Sequence, residues 1–316
     1  MAPAMTTPSD IAGRFWNLPQ KPGEETAREL SFIDDIIQKA HLERLILENL
    51  SGVRTVFGGG AGYGRFSIML AKLGLKVTHF DISEGMIAKA RELAAAEGVA
   101  ANITFALGSI DELGAFSDGQ FDLALCFDAP ISFCYPGHEA ALAGLMRIAA
   151  KRICVSVFSR LGSATYLWDP TQKQKYILDK SSDSPLVQWY MERESIMREG
   201  FAPDVAAAYE YMRTGLFEKT EATISSYEKG ESPWPISYAF MPEELISILR
   251  RYGATNIRLS GPGALSRAVP GEVLAGIIKN EKLRKEFLDF CYVYDSNPYC
   301  AGMGKDNLVA IADLDR

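Results

Sequence analysis

The apolar run Val53 to Phe57 empties into Gly58-Gly59-Gly60-Ala61-Gly62-Tyr63-Gly64-Arg65, and helical periodicity resumes at Phe66. A buried strand that turns through glycines into a helix leaves few folds open to a chain. Glycine lets the backbone turn tightly and leaves no Cβ between the main chain and a ligand. Seventeen residues beyond Gly64, Asp81 closes a second predicted strand, Lys76 to Phe80. In a doubly wound sheet the first two strands lie side by side. A carboxylate at the end of strand two then reaches the ribose hydroxyls of a nucleoside held over the glycine loop.

The alternation continues. Phe66 to Leu73 reads as a helix stopped by Gly74, and Ser83 caps a helix over Glu84 to Glu97 that Gly98 ends. Ile103 to Leu107, Phe121 to Phe127 and Arg152 to Phe158 read as strands three to five, with a helix over Glu139 to Ala150. Repeated strand–helix alternation predicts parallel βαβ units in a doubly wound α/β fold. Pro242 opens a helix to Tyr252, and Asn256 to Ser260 and Leu308 to Asp313 read as closing strands around a helical insert at 271–291.

Between 161 and 240 the rhythm breaks. The stretch holds three of the four tryptophans, Trp168, Trp189 and Trp234, and only helical patterns. It reads as a helical lid that adds no strand to the central sheet, with most of its aromatics forming its own small core. Residues 1–23, with Pro3, Pro8, Pro19 and Pro22, read as a loose arm anchored by Phe15 and Trp16, and 24–50 as one amphipathic helix. The predicted division is 1–50 arm and helical cap, 51–160 core, 161–240 lid, and 241–316 completion of the core with a second insert.

Composition narrows the function. The net charge of −7 provides no basic face for displacing counterions from phosphates, so no nucleic-acid partner is expected. The basic residues of 279–285 alternate with Glu281 and Glu286, as on a solvated helix face. Five cysteines without a CxxC, and three histidines without ligand spacing, predict neither disulfides nor a metal site. No basic-then-apolar leader opens the sequence and no apolar stretch approaches the ~20 residues of a spanning helix, so a cytoplasmic protein without membrane contact is expected.

The glycine register separates two cofactor classes. Dinucleotide sites need GxGxxG to seat a pyrophosphate on the helix N-terminus. The nearest such register here, Gly62, Gly64 and then Ser67, fails. The actual spacing, Gly60, Gly62, Gly64, suits a cofactor without phosphates. Residues 50–160 and 237–316 resemble the class I S-adenosylmethionine-dependent methyltransferases. Asp81-Ile82-Ser83-Glu84-Gly85-Met86-Ile87 is similar to a frequent run of that family, as are Met241-Pro242-Glu243-Glu244-Leu245 and Tyr252-Gly253.

The resemblance implies a Rossmann-like, seven-stranded, mostly parallel sheet with an N-terminal helical cap and an inserted helical lid. It implies S-adenosylmethionine as cofactor and S-adenosylhomocysteine as product, at Gly58, Gly60, Gly62, Gly64, Asp81, Ile82, Ser109, Ile110 and Phe127. Two positions depart from the pattern. Ser109 stands where the family has an Asp on the adenine amine, leaving Asp111 or backbone groups to take that role. Gly58 stands where the family has an acid near the cofactor's ammonium.

Strand four ends at Cys126-Phe127-Asp128-Ala129-Pro130-Ile131, similar in part to the Asp/Asn-Pro-Pro-aromatic motif of some N-methylating members. Asp128 is therefore a candidate to orient the acceptor or to hold the cofactor's ammonium, and Tyr135 and His138 are candidate bases or pocket residues. The expected activity is methyl transfer to a nitrogen or oxygen of a small molecule. The alternatives are an NAD(P)-dependent oxidoreductase and a SAM-binding protein without transferase activity.

Overall fold

The computed structural model describes residues 8–169, 171–199, 201–217 and 235–315. Trp234 and residues 1–7 lie outside the described residues. The parallel strands β1 (Thr55–Gly59), β2 (Lys76–Asp81), β3 (Ile103–Leu107), β4 (Phe121–Cys126) and β5 (Ala149–Ser159) stand in the order β3-β2-β1-β4-β5. Antiparallel β9 (Asn307–Leu314) continues the sheet beyond β5, and β8 (Ala254–Ser260) closes it. Helices α4 (Arg65–Lys72), α5 (Glu84–Ala96), α6 (His138–Ile148) and α10 (Pro242–Arg251) cover this seven-stranded body. Strand order reverses between β1 and β4, so their carboxyl ends open the crevice where such sheets bind ligands.

Apolar side chains pack on both faces. Phe57, Phe80, Phe121, Leu142, Leu145 and Ile153 fill one side, and Val56, Leu70, Val77, Leu123 and Leu125 the other. Two-sided burial is why these strands read as continuous apolar runs. Among the described residues, no helix is long and apolar enough to cross a membrane.

Three expectations are corrected. Residues 8–23 are not a loose arm: α1 (Pro8–Trp16) and the start of α2 (Lys21–Ser31) are helical, with Ile11, Ala12 and Phe15 buried. Pro22 falls in the first turn of α2, where a missing N–H costs no helical hydrogen bond. Second, the single helix expected over 24–50 is broken at Phe32, whose extended backbone bridges to Ile177 before α3 (Ile33–Leu47) begins. Fully buried Phe32 packs with Ile177 and Val187, and this contact outweighs helix continuity.

Third, the segment 161–240 does reach the sheet. After a single turn, α7 (Arg160–Ser163), and the helices α8 (Pro185–Glu199) and α9 (Val205–Thr214), it forms β7 (Ser237–Phe240). That strand runs parallel to the last two residues of β5, and β6 (Leu216–Phe217) pairs with it antiparallel. Four residues are too short for a period to show. The aromatics of the segment divide: Tyr176 and Tyr211 are buried, whereas Trp168 and Trp189 are about half exposed. Downstream, the helical insert is two helices, α11 (Gly271–Lys279) and α12 (Glu281–Asp295), with Asn280 capping the second.

A ladder of buried charges ties the cap to the rest. Arg28 bonds Asp35 at 3.0 Å, Lys173 reaches Asp35 at 2.7 Å and Asp34 at 2.9 Å, and Lys305 also pairs with Asp34. Burial alone raises the Asp34 carboxyl, but Lys173 and Lys305 hold it below its ordinary range. Removing Asp34 leaves the buried Lys305 without the carboxylate it pairs with. Asp34→Asn is expected to cost about 3–5 kcal/mol in urea unfolding. A loss under 1 kcal/mol would show the ladder to be hydrated.

Candidate functional site

Strand β1 extends through Gly58 and Gly59, and the chain then turns in the left-handed region at Gly60 (φ 58°), Gly62 (φ 56°) and Gly64 (φ 91°). Each glycine has its own reason. A Cβ on Gly60 would lie 2.3 Å from Cγ of Pro130, and one on Gly64 2.9 Å from Cβ of Ala90. At Gly62 nothing lies within 4 Å, so the main chain there faces open space. Gly58 differs: a Cβ there would make ordinary contacts, 3.6 Å to Cβ of Ala61 and to Oγ of Ser67. Beneath it is a cavity of ≈ 40 Å³ walled in part by Gly58, Gly60, Ala61, Ser67, Phe127 and Asp128.

Asp81 ends β2 beside this loop. Its Oδ2 accepts from the Gly62 N–H and its Oδ1 from the Ser83 N–H, both at 2.8 Å. Burial pushes its carboxyl up to about 6, against the lowering effect of the Gly62, Ser83 and Ile82 N–H groups. Helix α1 lies on the residues that follow. The carbonyl of Trp16 accepts from Ser83 Oγ at 2.8 Å, and Asn17 donates to the Ile82 carbonyl at 3.3 Å. Ser109 is in the loop after β3. Ile110 is buried in the core and would lie 3.1 Å from a Cβ on Gly59, and Phe127 is buried against Phe66.

Past β4, Asp128 (φ 65°) and Ala129 (φ 62°) are consecutive left-handed residues that are not glycine. Such backbone persists only where surroundings fix it. Here the Asp128 N–H donates to Ser156 Oγ at 2.8 Å, and Pro130 is pressed on Gly60. The Asp128 carboxylate pairs with Lys39 of α3. Tyr135 and His138 come together elsewhere, in a stack with Tyr238 of β7: His138 lies 4.4 Å from Tyr238 and 5.6 Å from Tyr135. Burial lowers the His138 pKa, which favours the neutral ring, and among the described residues its buried Nδ1 has no hydrogen-bond partner.

Several site residues escaped the sequence. Glu29 of α2 accepts from Tyr63 and Arg65 of the glycine loop, and Arg65 also reaches Glu43 at 3.0 Å. Under the loop, Ser67 Oγ meets Nδ1 of His79 at 3.0 Å, and burial brings that ring down to about 4. Lys39 and Glu29 sit on charged helices, where periodicity reads every charge as solvated. The register of α2 and α3 against the loop exists only in three dimensions.

The fold defines a class: a Rossmann-like α/β sheet with its ligand crevice at the ends of β1, β2 and β4. Residues 56–152 match a family model described as a methyltransferase domain. Over 109 residues the chain is 34% identical to magnesium protoporphyrin IX methyltransferase, chloroplastic, of Arabidopsis thaliana, which spans 34% of this chain and 33% of that protein. The chain thus spans about a third of that relative's length. Among solved structures it is similar to Haemonchus contortus phosphoethanolamine N-methyltransferase 2, with a TM-score of 0.53 and 14% identity over 98% of this chain and 60% of that one. Residues 56–152 are thus similar to a methyltransferase domain, and they lie on a Rossmann-like sheet.

The contact between the two loops yields a prediction. Gly60→Ala adds left-handed strain and drives Cβ into Pro130, so it should lower stability by about 2–4 kcal/mol. Chemical denaturation measures this; an unchanged midpoint would show the loops to be separable.

Proposed function

We propose that the chain binds S-adenosylmethionine over Gly60–Gly64 and Asp81 and transfers its methyl group to a nitrogen or oxygen of a small-molecule acceptor. The observation that carries this reading is the buried Asp81 carboxylate at the end of β2, bonded to the same glycine loop whose open face is at Gly62. One oxygen accepts from Gly62 and the other from Ser83, and each retains a lone pair for a ribose hydroxyl. Ile82, Ser109, Ile110 and Phe127 flank the adenosine, Ser109 and Ile110 through their backbone groups.

The cofactor supplies an activated sulfonium methyl, so the protein's work is to orient the acceptor and exclude water. The acceptor is placed over the ends of β4 and β5, against the loop that carries Asp128 and Tyr135. Burial favours the neutral ring of His138, the form that can take the proton an amine or hydroxyl loses on methylation, and its stack with Tyr135 ties it to this loop.

Two measurements test the cofactor assignment. Asp81→Ala should weaken S-adenosylhomocysteine binding by about 1.5–3 kcal/mol in calorimetry, through loss of charge-assisted hydrogen bonds. In the wild type, the ionised carboxylate is the form that accepts the ribose hydroxyls. A bound ligand therefore lowers the Asp81 pKa, and affinity should hold above pH about 6 and decline as pH falls through it. Unchanged affinity in the variant and a flat pH profile would remove the cofactor reading.

A further inference from the structure

Position 58 admits a side chain sterically, yet it is glycine, and the space below it is a cavity. The acid that β1 lacks is present across the sheet, because Asp128, at the end of the neighbouring strand β4, walls the same cavity. The Asp128 side chain is 48% exposed, whereas its partner Lys39 is only 10% exposed. A carboxylate paired with a buried ammonium on one side and open on the other presents its free side to a second cation.

Lys39 is in turn surrounded by charge that belongs to the glycine loop. Glu29, with its side chain 13% exposed, bonds Tyr63 and Arg65, which flank Gly64, and its charge acts on both Lys39 and Asp128. Arg65 is committed to Glu29 and Glu43. Among the described residues, Arg65 is thus shared between two carboxylates, whereas Lys39 pairs with one, the half-exposed Asp128.

We propose that the amino-acid end of the cofactor is held from the N-terminal cap and β4 instead of from β1, with Lys39 taking its α-carboxylate and Asp128 its α-ammonium. This assignment rests on the cofactor reading above. A zwitterion entering between Lys39 and Asp128 exchanges one ion pair for two and leaves no charge unmatched. Glu29 is a positioning residue that fixes the loop and the Lys39 ammonium in one frame. The cap is then part of the cofactor site, and Gly58 is compensated.

The test compares two ligands that differ only in the part at issue. S-adenosylhomocysteine carries the amino-acid group, and 5′-methylthioadenosine lacks it. Both are titrated by calorimetry into the full wild-type chain, Lys39→Met, Asp128→Asn and Lys39→Arg. Lys39→Met and Asp128→Asn should each lose about tenfold or more in affinity for S-adenosylhomocysteine. Both should bind methylthioadenosine within about twofold of wild type, which also reports that they are folded, and Lys39→Arg should recover most of the loss. Equal losses for both ligands, or none for either, overturn the assignment while the wild type's binding of both keeps the cofactor reading. A wild type that binds neither ligand overturns both.

Discussion

Pro130 resting on Gly60 is the contact on which the site depends. It joins the turn after β1 to the turn after β4 at the point where strand order reverses. No side chain fits between them, so position 60 must be glycine for steric as well as conformational reasons. The same contact holds Asp128 and Ala129 in left-handed backbone, which aims the end of β4 back over the glycine loop. The glycine loop and the loop after β4 are therefore packed directly against each other.

Around that contact, charge does what apolar packing does within the sheet. The Arg28–Asp35–Lys173–Asp34–Lys305 ladder joins α2 and α3 to the segment after β5 and to the approach to β9. Apolar groups of similar volume would hold these segments as firmly but would tolerate sliding, whereas fixed pairs select one register. Gln38 adds to it, donating to the Lys305 carbonyl and accepting from Asn307 Nδ2 at 2.9 Å. One residue further along α3, Lys39 meets Asp128. The register of the ladder thus sets where the cap's charges stand relative to the ligand crevice.

The sheet was legible because burial on both faces writes its strands as apolar runs, with glycine stops after the helices. Even so, the apolar signal of β1 stops at Phe57, whereas the strand runs to Gly59. Glycine carries no apolar signal, so a strand that continues through it looks finished. The helices of the N-terminal segment were hidden by prolines that sit at helix starts, and β7 by its length. Asp81 and the loop glycines were legible from spacing alone. Lys39, Glu29 and His79 were not, since their roles come from the packing of α2 and α3 on the loop and from burial under it.

If the N-terminal cap and the glycine loop form one ligand site, S-adenosylhomocysteine will order both, and backbone hydrogen exchange with and without it reads that ordering residue by residue. Slowed exchange is expected in the Gly60–Gly64 loop and after β4, and equally in α2 and α3 around Glu29 and Lys39. Protection confined to the loops, with α2 and α3 exchanging at unchanged rates, would contradict a shared site.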